Sequence, residues 1–266
     1  MINVAVLGVS GRMGRCLVRA IRESEDLTLS GALASPHSAS LGRDAGEVAL
    51  TGPLAVEITS VRDRALANAA IAIDFTLPEA TADNLAAVLG RQIPVVIGTT
   101  GLDAERHTLI RHASEKLPVL VAPNMSLAVN LLFSLVGSAA AALPDDYDIE
   151  ILEAHHRLKA DAPSGTALRI GEIAAGARNT TLGTVGVYGR AGRATMRAPG
   201  AIGFSSVRAG DIVGEHHVLF AGSGETLELV HRATDRMTFA YGALAAARWL
   251  HGRQPGLYGM ADVLGL

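Results

Sequence analysis

Apolar runs with the length of buried strands recur through the first half of the chain, near residues 2–7, 27–33, 54–59, 70–75, 94–97 and 118–122, with helically spaced stretches between most of them. Strands that are continuously apolar and alternate with helices predict a parallel sheet covered on both faces. The longest apolar segment, residues 127–143, is broken by Asn130, Ser134 and Ser138, which fall on one helical stripe. It predicts a buried or cavity-lining helix, too short and too polar along that stripe to span a membrane. Beyond it the pattern changes. Residues 147–153 alternate like a half-exposed strand, and β-rich runs follow near 184–189, 200–209, 212–221 and 225–233, with one strong helix near 165–176. This predicts a second domain with a mixed or antiparallel sheet. The last helical stretch, Thr238 to Leu250, is apolar enough to return to the first domain, so the expected boundaries are 1–126 with 237–266, and 127–236.

At 266 residues, with 49% apolar and 18% charged side chains, the chain can bury a substantial core and is not disordered. Its 26 acidic and 23 basic residues leave a net charge of −3, which provides no general field for nucleic acid or an anionic membrane, so neither is an expected partner. A single cysteine, Cys16, excludes an intramolecular disulfide and reads as a small buried apolar residue. No metal-ligand spacing is present in the sequence, and no metal is expected. The first strand starts at once, without a charged region ahead of an apolar stretch, and with the lone cysteine this makes a cytoplasmic location the expectation.

Two segments carry chemistry. Ile2 to Leu7 runs directly into Gly8-Val9-Ser10-Gly11-Arg12-Met13-Gly14, which reads as strand, tight turn and helix. In such a turn one glycine lets the chain reverse, another lets backbone amides approach a pyrophosphate at the helix N-terminus, and a third allows close packing of helix on sheet. The spacing is GxxGxxG rather than GxGxxG, and the strand before it and the helix after it are what give the pattern meaning. Three more strand tips, Asp74-Phe75-Thr76, Gly98-Thr99-Thr100-Gly101 and Pro123-Asn124-Met125-Ser126, lie where open α/β sheets bind ligands. As a set they are candidates for the nicotinamide half of a dinucleotide.

The second segment, Glu153 to Ala167, contains His155, His156, Lys159 and a Ser164-Gly165-Thr166 turn. In a core each ring and the ammonium would have to be desolvated or neutralised, so the segment is expected to face a polar ligand. Two protonatable rings and a cation suit a small, multiply anionic substrate that must also receive a proton. Amides at the start of the helix after Ser164 could hold a carboxylate. A solvated basic loop is the plainer alternative.

Taken together, these segments and Arg208-Ala209-Gly210-Asp211-Ile212-Val213-Gly214-Glu215-His216 resemble the 4-hydroxy-tetrahydrodipicolinate reductase family, long called dihydrodipicolinate reductases, over nearly the whole chain and in order. The run His-His-x-x-Lys-x-Asp-Ala-Pro-Ser-Gly-Thr is its most specific element. The resemblance implies an α/β protein with a Rossmann-like parallel-sheet nucleotide domain over 1–126 and 237–266. Residues 127–236 would form an α+β domain with a mixed sheet for substrate binding and oligomerisation, typically within a homotetramer. The implied activity is NAD(P)H-dependent reduction of 4-hydroxy-tetrahydrodipicolinate, a small anionic dicarboxylate, to tetrahydrodipicolinate with loss of water, on the route to diaminopimelate and lysine. By position the resemblance implies acid–base work for His155 and Lys159, with Lys159 the proton donor, and substrate binding by His156, Ser164, Gly165 and Thr166. It implies contacts to NADPH or NADH from Gly8, Val9, Ser10, Gly11, Arg12 and Met13, from Gly98, Thr99 and Thr100, and from Ala122, Pro123, Asn124 and Met125.

One departure bears on the cofactor. NAD-binding folds of this kind place an acid at the end of the second strand, against the adenosine ribose, whereas here Leu33 leads into Ala34-Ser35-Pro36-His37. Without the acid the site should not repel a 2′-phosphate, which Arg12, Ser35 or His37 could receive, so NADPH is expected to serve at least as well as NADH. Two other readings fit the residues: another two-domain nicotinamide dehydrogenase of a dicarboxylic amino or keto acid, and a non-catalytic protein that senses NADPH. Around the site, Arg157 reads as a solvated cation and His216 as a structural histidine, with His217 on the opposite strand face. Glu153 and Asp161 read equally well as orienting groups and as local neutralisers.

Overall fold

Alternate residues of β1 (Ile2–Leu7) are buried on opposite sides: Val4 and Val6 pack with the helices Arg12–Glu23 and Met237–Leu250, Ala5 and Leu7 with the helices Thr81–Arg91 and Ala104–Ser114. A strand covered on both faces has no polar side, which is why residues 4–7 read as an unbroken apolar run. A computed structural model describes residues 1–192 and 196–266, and divides them into two units, Met1–Leu127 with Arg236–Leu266, and Ala128–Asp235.

In the first unit β1 is joined by β2 (Leu27–Leu33), β3 (Ile58–Thr59), β4 (Ile71–Asp74), β5 (Val95–Ile97) and β6 (Pro118–Val121). With β12 (Gly256–Tyr258), near the end of the chain, they form a seven-stranded sheet ordered β12-β6-β5-β4-β1-β2-β3, in which every pairing is parallel. Strands run outward in both directions from β1, so the order reverses between β1 and β4, and the crevice beyond their carboxyl ends is where such sheets bind ligands.

Three local expectations are revised. The strand expected over 54–59 survives only as Ile58–Thr59, because the Asp44 carboxylate takes the backbone N–H groups of Leu54 and Val56 that a ladder would have used. The edge strand β12 follows the last long helix and is too short to carry a periodic signal. The helix Leu127–Ala142 buries Val129, Leu132, Val136 and Ala140, while Leu131, Leu135 and Ser138 are exposed and Asn130 and Ser134 half-buried, so it is buried along one face only. Cys16 is half-buried and packs against the first core.

The second unit is built on β7 (Asp148–His155), β8 (Gly186–Tyr188), β9 (Ile202–Arg208), β10 (Gly214–Ala221) and β11 (Thr226–Ala233), ordered β11-β10-β7-β9-β8. Pairings of β7 with β10 and of β10 with β11 are antiparallel, and those of β7 with β9 and of β9 with β8 are parallel. One face packs on the helices Leu127–Ala142 and Gly165–Ala177. Across that face Ile149 lies beside Ile202 and Phe220, and Ile151 beside Phe204 and Val218. Two residues further along β7 the rows turn polar: Ser206, Glu153, His216 and His231 stand side by side on β9, β7, β10 and β11. Among the described residues no helix is long and apolar enough to cross a membrane.

Candidate active site

The glycine turn of the first unit is shaped by close backbone approaches. The amides of Gly8 and Val9 both donate to the Leu33 carbonyl, at 2.9 and 3.0 Å. Gly8 has φ +88°, and a Cβ there would lie 2.6 Å from the Phe75 carbonyl oxygen. A Cβ on Gly14 would lie 2.2 Å from the Gly8 carbonyl oxygen, so this position sets how tightly the helix Arg12–Glu23 follows the turn. That helix starts at Gly11 without a side-chain cap, and Gly11 and Arg12 are exposed. Uncapped first-turn amides and the positive end of the helix dipole suit a phosphate, and the turn therefore fits the pyrophosphate of a dinucleotide.

The neighbouring tips are braced by a buried carboxylate. Asp74 accepts from the Thr76 amide at 2.8 Å, the Thr76 hydroxyl at 2.6 Å, the Asn84 amide nitrogen at 2.9 Å and the Thr99 hydroxyl at 3.4 Å. Burial pushes its pKa up, against the pull of those hydrogen bonds. Gly98 donates to the Asp74 carbonyl at 2.8 Å, and the Phe75 ring occupies the space where a Gly98 side chain would go. Thr100 and Pro123 are exposed, whereas Val9, Thr99, Ala122 and Met125 are buried. Met125 belongs to the apolar core, and its carbonyl is packed closely against Gly242. Asn124 accepts from the Ser126 amide at 2.9 Å, and Ser10 and Met13 are half-buried. The expected cofactor residues are thus gathered at the tips of β1, β5 and β6, and Asp74 and Phe75 of β4 join them.

In the second unit His155 ends β7 and its Nδ1 lies 2.6 Å from Glu153 Oε2. Glu153 is buried and forms a two-pronged ion pair with Arg208, at 2.6 and 2.8 Å. Burial would raise its pKa, but hydrogen bonds from Arg208, Ser206 and His155 hold it below the usual carboxylate range. The His155 pKa is lowered, mainly by burial, with Glu153 opposing and Lys159 and Arg208 adding to the effect. Lys159 pairs with Asp161 at 2.9 Å, which keeps that carboxyl below its ordinary value. His156 is half-buried beside them.

Ser164 caps the helix Gly165–Ala177, its hydroxyl accepting from the Ala167 amide at 3.1 Å. Gly165 is exposed and Thr166 half-buried on the first turn, so amides there can receive a carboxylate. His216 is buried with Nε2 3.2 Å from Ser164 Oγ, its ring meets that of His155 edge-on at 5.3 Å, and burial drives its pKa down to about 3. It is neutral at physiological pH and braces the turn, as a structural histidine does. His217 points to the other face, 3.8 Å from Glu215. Arg208 was given no role by sequence reasoning, because nothing local links it to a carboxylate on a strand far away in the chain. Among the described residues no cluster of His, Cys, Asp or Glu is suited to a metal ion.

Comparison with known proteins identifies the family. Residues 2–125 match the model of the dihydrodipicolinate reductase N-terminus and residues 128–264 that of its C-terminus. The chain is 51% identical over 265 residues to the 4-hydroxy-tetrahydrodipicolinate reductase of Nitrosomonas europaea, covering 100% of this chain and 98% of the relative. It is 52% identical over 265 residues to that of Thiobacillus denitrificans, covering 100% and 99%. Among solved structures, a dipicolinate-bound dihydrodipicolinate reductase from Paenisporosarcina sp. TG-14 superposes with a TM-score of 0.78 at 25% identity, covering 98% of this chain and 99% of that one. With both family regions matched end to end and half of all positions shared with two reductases, the chain belongs to the dihydrodipicolinate reductase family.

Proposed function

We propose that the chain reduces 4-hydroxy-tetrahydrodipicolinate to tetrahydrodipicolinate with NADPH or NADH, releasing water, in diaminopimelate and lysine biosynthesis. The observation that carries this reading is the grouping of His155, Lys159 and the Ser164–Thr166 helix start at one end of the second sheet, in a chain that matches the family throughout. Neither a general dicarboxylate dehydrogenase nor a nucleotide sensor needs that set. Nucleotide binding belongs to residues 1–126 with 237–266, and substrate binding and assembly to 127–236. Gly8–Met13, Gly98–Thr100 and Ala122–Met125 form the cofactor site.

The substrate hydroxyl leaves with a hydrogen of the neighbouring ring carbon as water, which conjugates the ring with its nitrogen. When bound, the nicotinamide supplies a hydride to an electron-poor carbon of that ring. Negative charge then gathers at the conjugated ring nitrogen, and a proton must follow for the charges to balance. Lys159 gives that proton from Nζ, and until then its ammonium stabilises the developing charge. The ion pair with Asp161 holds the ammonium in place. His155 works beside it, with Nδ1 committed to Glu153 and Nε2 left for the substrate. The amides of Gly165 and Thr166 and the Ser164 hydroxyl hold one substrate carboxylate, and His156 contributes to the same anion site. At the other end of the cofactor, Ser35, His37 and Arg12 are exposed and no acid closes β2, which supports use of NADPH at least as effectively as NADH.

We also propose a homotetramer in the cytoplasm. Support for assembly comes from the outer face of the second sheet, where Leu152, Val207 and Val230 are each more than 40% exposed. The test of the activity couples the chain to dihydrodipicolinate synthase and follows nicotinamide absorbance. Oxidation of NADPH that depends on the synthase product is expected, with kcat/KM for NADPH no lower than for NADH. Binding of NADPH without oxidation would favour the sensor.

A further inference from the structure

The polar end of the second sheet contains one group that touches two of the residues assigned to the substrate. Glu153 Oε2 contacts the His155 ring, and Oε1 accepts from the Ser164 amide at 3.3 Å, at the residue that caps the helix Gly165–Ala177. Arg208, which grips both carboxylate oxygens, also donates to the Asp161 carbonyl at 2.5 Å, and Asp161 is the partner of Lys159. Ser206, next to Glu153 on β9, adds a further hydrogen bond. We infer that the Glu153–Arg208 pair is the positioning element of the substrate site, fixing the tautomer of His155, the Ser164 turn and the loop carrying Lys159 in one connected unit. This rests on the reductase reading for what the three groups do, though not for how they are held.

The chemistry follows from what each partner can offer. An ionised carboxylate is an acceptor only, so the His155 nitrogen facing it carries the proton, and Nε2 is the basic atom of the neutral ring. Nε2 points past Gly214, where a Cβ would sit 3.1 Å away, so the missing side chain keeps that nitrogen accessible. Burying Glu153 is tolerable because the guanidinium of Arg208 matches it with two parallel bonds. Groups facing the His155 ring are Glu153 from β7, Arg208 from β9, His216 from β10 and Lys159 from the following loop. Of these Glu153 alone favours the imidazolium.

A pair placed only for stability would leave the ring indifferent, and the experiments separate the two roles. In the intact chain without ligands, 15N-resolved NMR of the histidines should show His155 protonated on Nδ1 with Nε2 bare above its pKa. The opposite tautomer overturns the inference. In Glu153→Gln the His155 titration should move to lower pH and turnover should fall about tenfold or more, since the acid–base step at stake is worth ~10²–10⁴, while NADPH affinity stays within about twofold. An unmoved titration in folded Glu153→Gln overturns it. The double variant Glu153→Gln/Arg208→Met removes both buried charges, a change that often restores stability. Stability should return without turnover, and recovery of both would reduce the pair to a structural role. Because the NMR measurements use neither substrate nor cofactor, they stand apart from the coupled assay. A wild-type chain that fails that assay refutes the reductase reading and leaves the positioning result to be judged separately.

Discussion

The nucleotide turn of the first unit and the substrate cluster of the second are made in opposite ways. The turn at Gly8–Gly14 is a backbone device, in which missing side chains let Gly8 lie against Phe75 and Gly14 against Gly8. The substrate side is a side-chain device, drawing Glu153 and His155 from β7, Arg208 from β9, His216 from β10 and Lys159 from a loop. A site of the first kind fails when atoms are added, and one of the second when they are removed. That contrast predicts which substitutions harm the turn and which the cluster, and that damage to one should spare the ligand of the other.

The largest effect is expected from Lys159→Ala. General acid catalysis contributes about 10²–10⁴ to rate, so turnover should fall within that range. NADPH dissociation, measured by fluorescence, should change by no more than about twofold, because removal of a side chain at 159 leaves the glycine turn intact. Equal losses in both quantities would break the contrast. Gly8→Ala is the reverse experiment. Its positive φ and the approach to the Phe75 carbonyl oblige the turn to shift, a strain of about 1–3 kcal/mol. NADPH affinity should drop about tenfold or more, as 1.4 kcal/mol is a factor of ten, while the substrate KM measured at saturating NADPH is retained.

The same contrast explains what the sequence disclosed. A backbone site is contiguous, so Gly8, Gly11 and Gly14 announce it between an apolar strand and a helix. The parallel sheet was legible because strands buried on both faces leave long apolar runs. The His155–Thr166 segment is contiguous too. Its supports are not: Glu153 meets Arg208 across 55 residues, and His216 meets Ser164 across 52. These depend on strand register, and no local pattern encodes which residues of β7, β9 and β10 stand side by side. For the same reason β3 was overestimated, since the diversion of its amides to Asp44 is a tertiary event.

Acid should expose the buried imidazole. His216 has a pKa near 3 in the fold against 6.5 when free, so below pH 6.5 the unfolded chain takes up a proton that the folded chain refuses. Stability must then fall as pH drops through that window, by up to about 1.4 kcal/mol per pH unit for one proton. His155 and His231, also lowered by burial, act in the same direction. Urea unfolding between pH 6.5 and 5 should show this slope, and His216→Gln should flatten it. An identical slope in the variant would mean that His216 is charged in the fold.

The smallest effect separates two duties of one hydroxyl. Ser164 caps its helix and, in the proposed site, also faces a substrate carboxylate. Loss of a serine cap to alanine costs about 1 kcal/mol, whereas glycine at the same position costs only a few tenths. Ser164→Ala should therefore unfold about 2–4 °C below wild type, with Ser164→Gly between them. Both lack the hydroxyl, so both should raise substrate KM by the same severalfold factor, with little change in NADPH affinity. If KM instead followed Tm, rising in the alanine variant and staying at the wild-type value in the glycine one, the hydroxyl would serve the helix alone. The carboxylate would then be held by backbone amides, and the substrate side would resemble the nucleotide side more closely than its crowded side chains suggest.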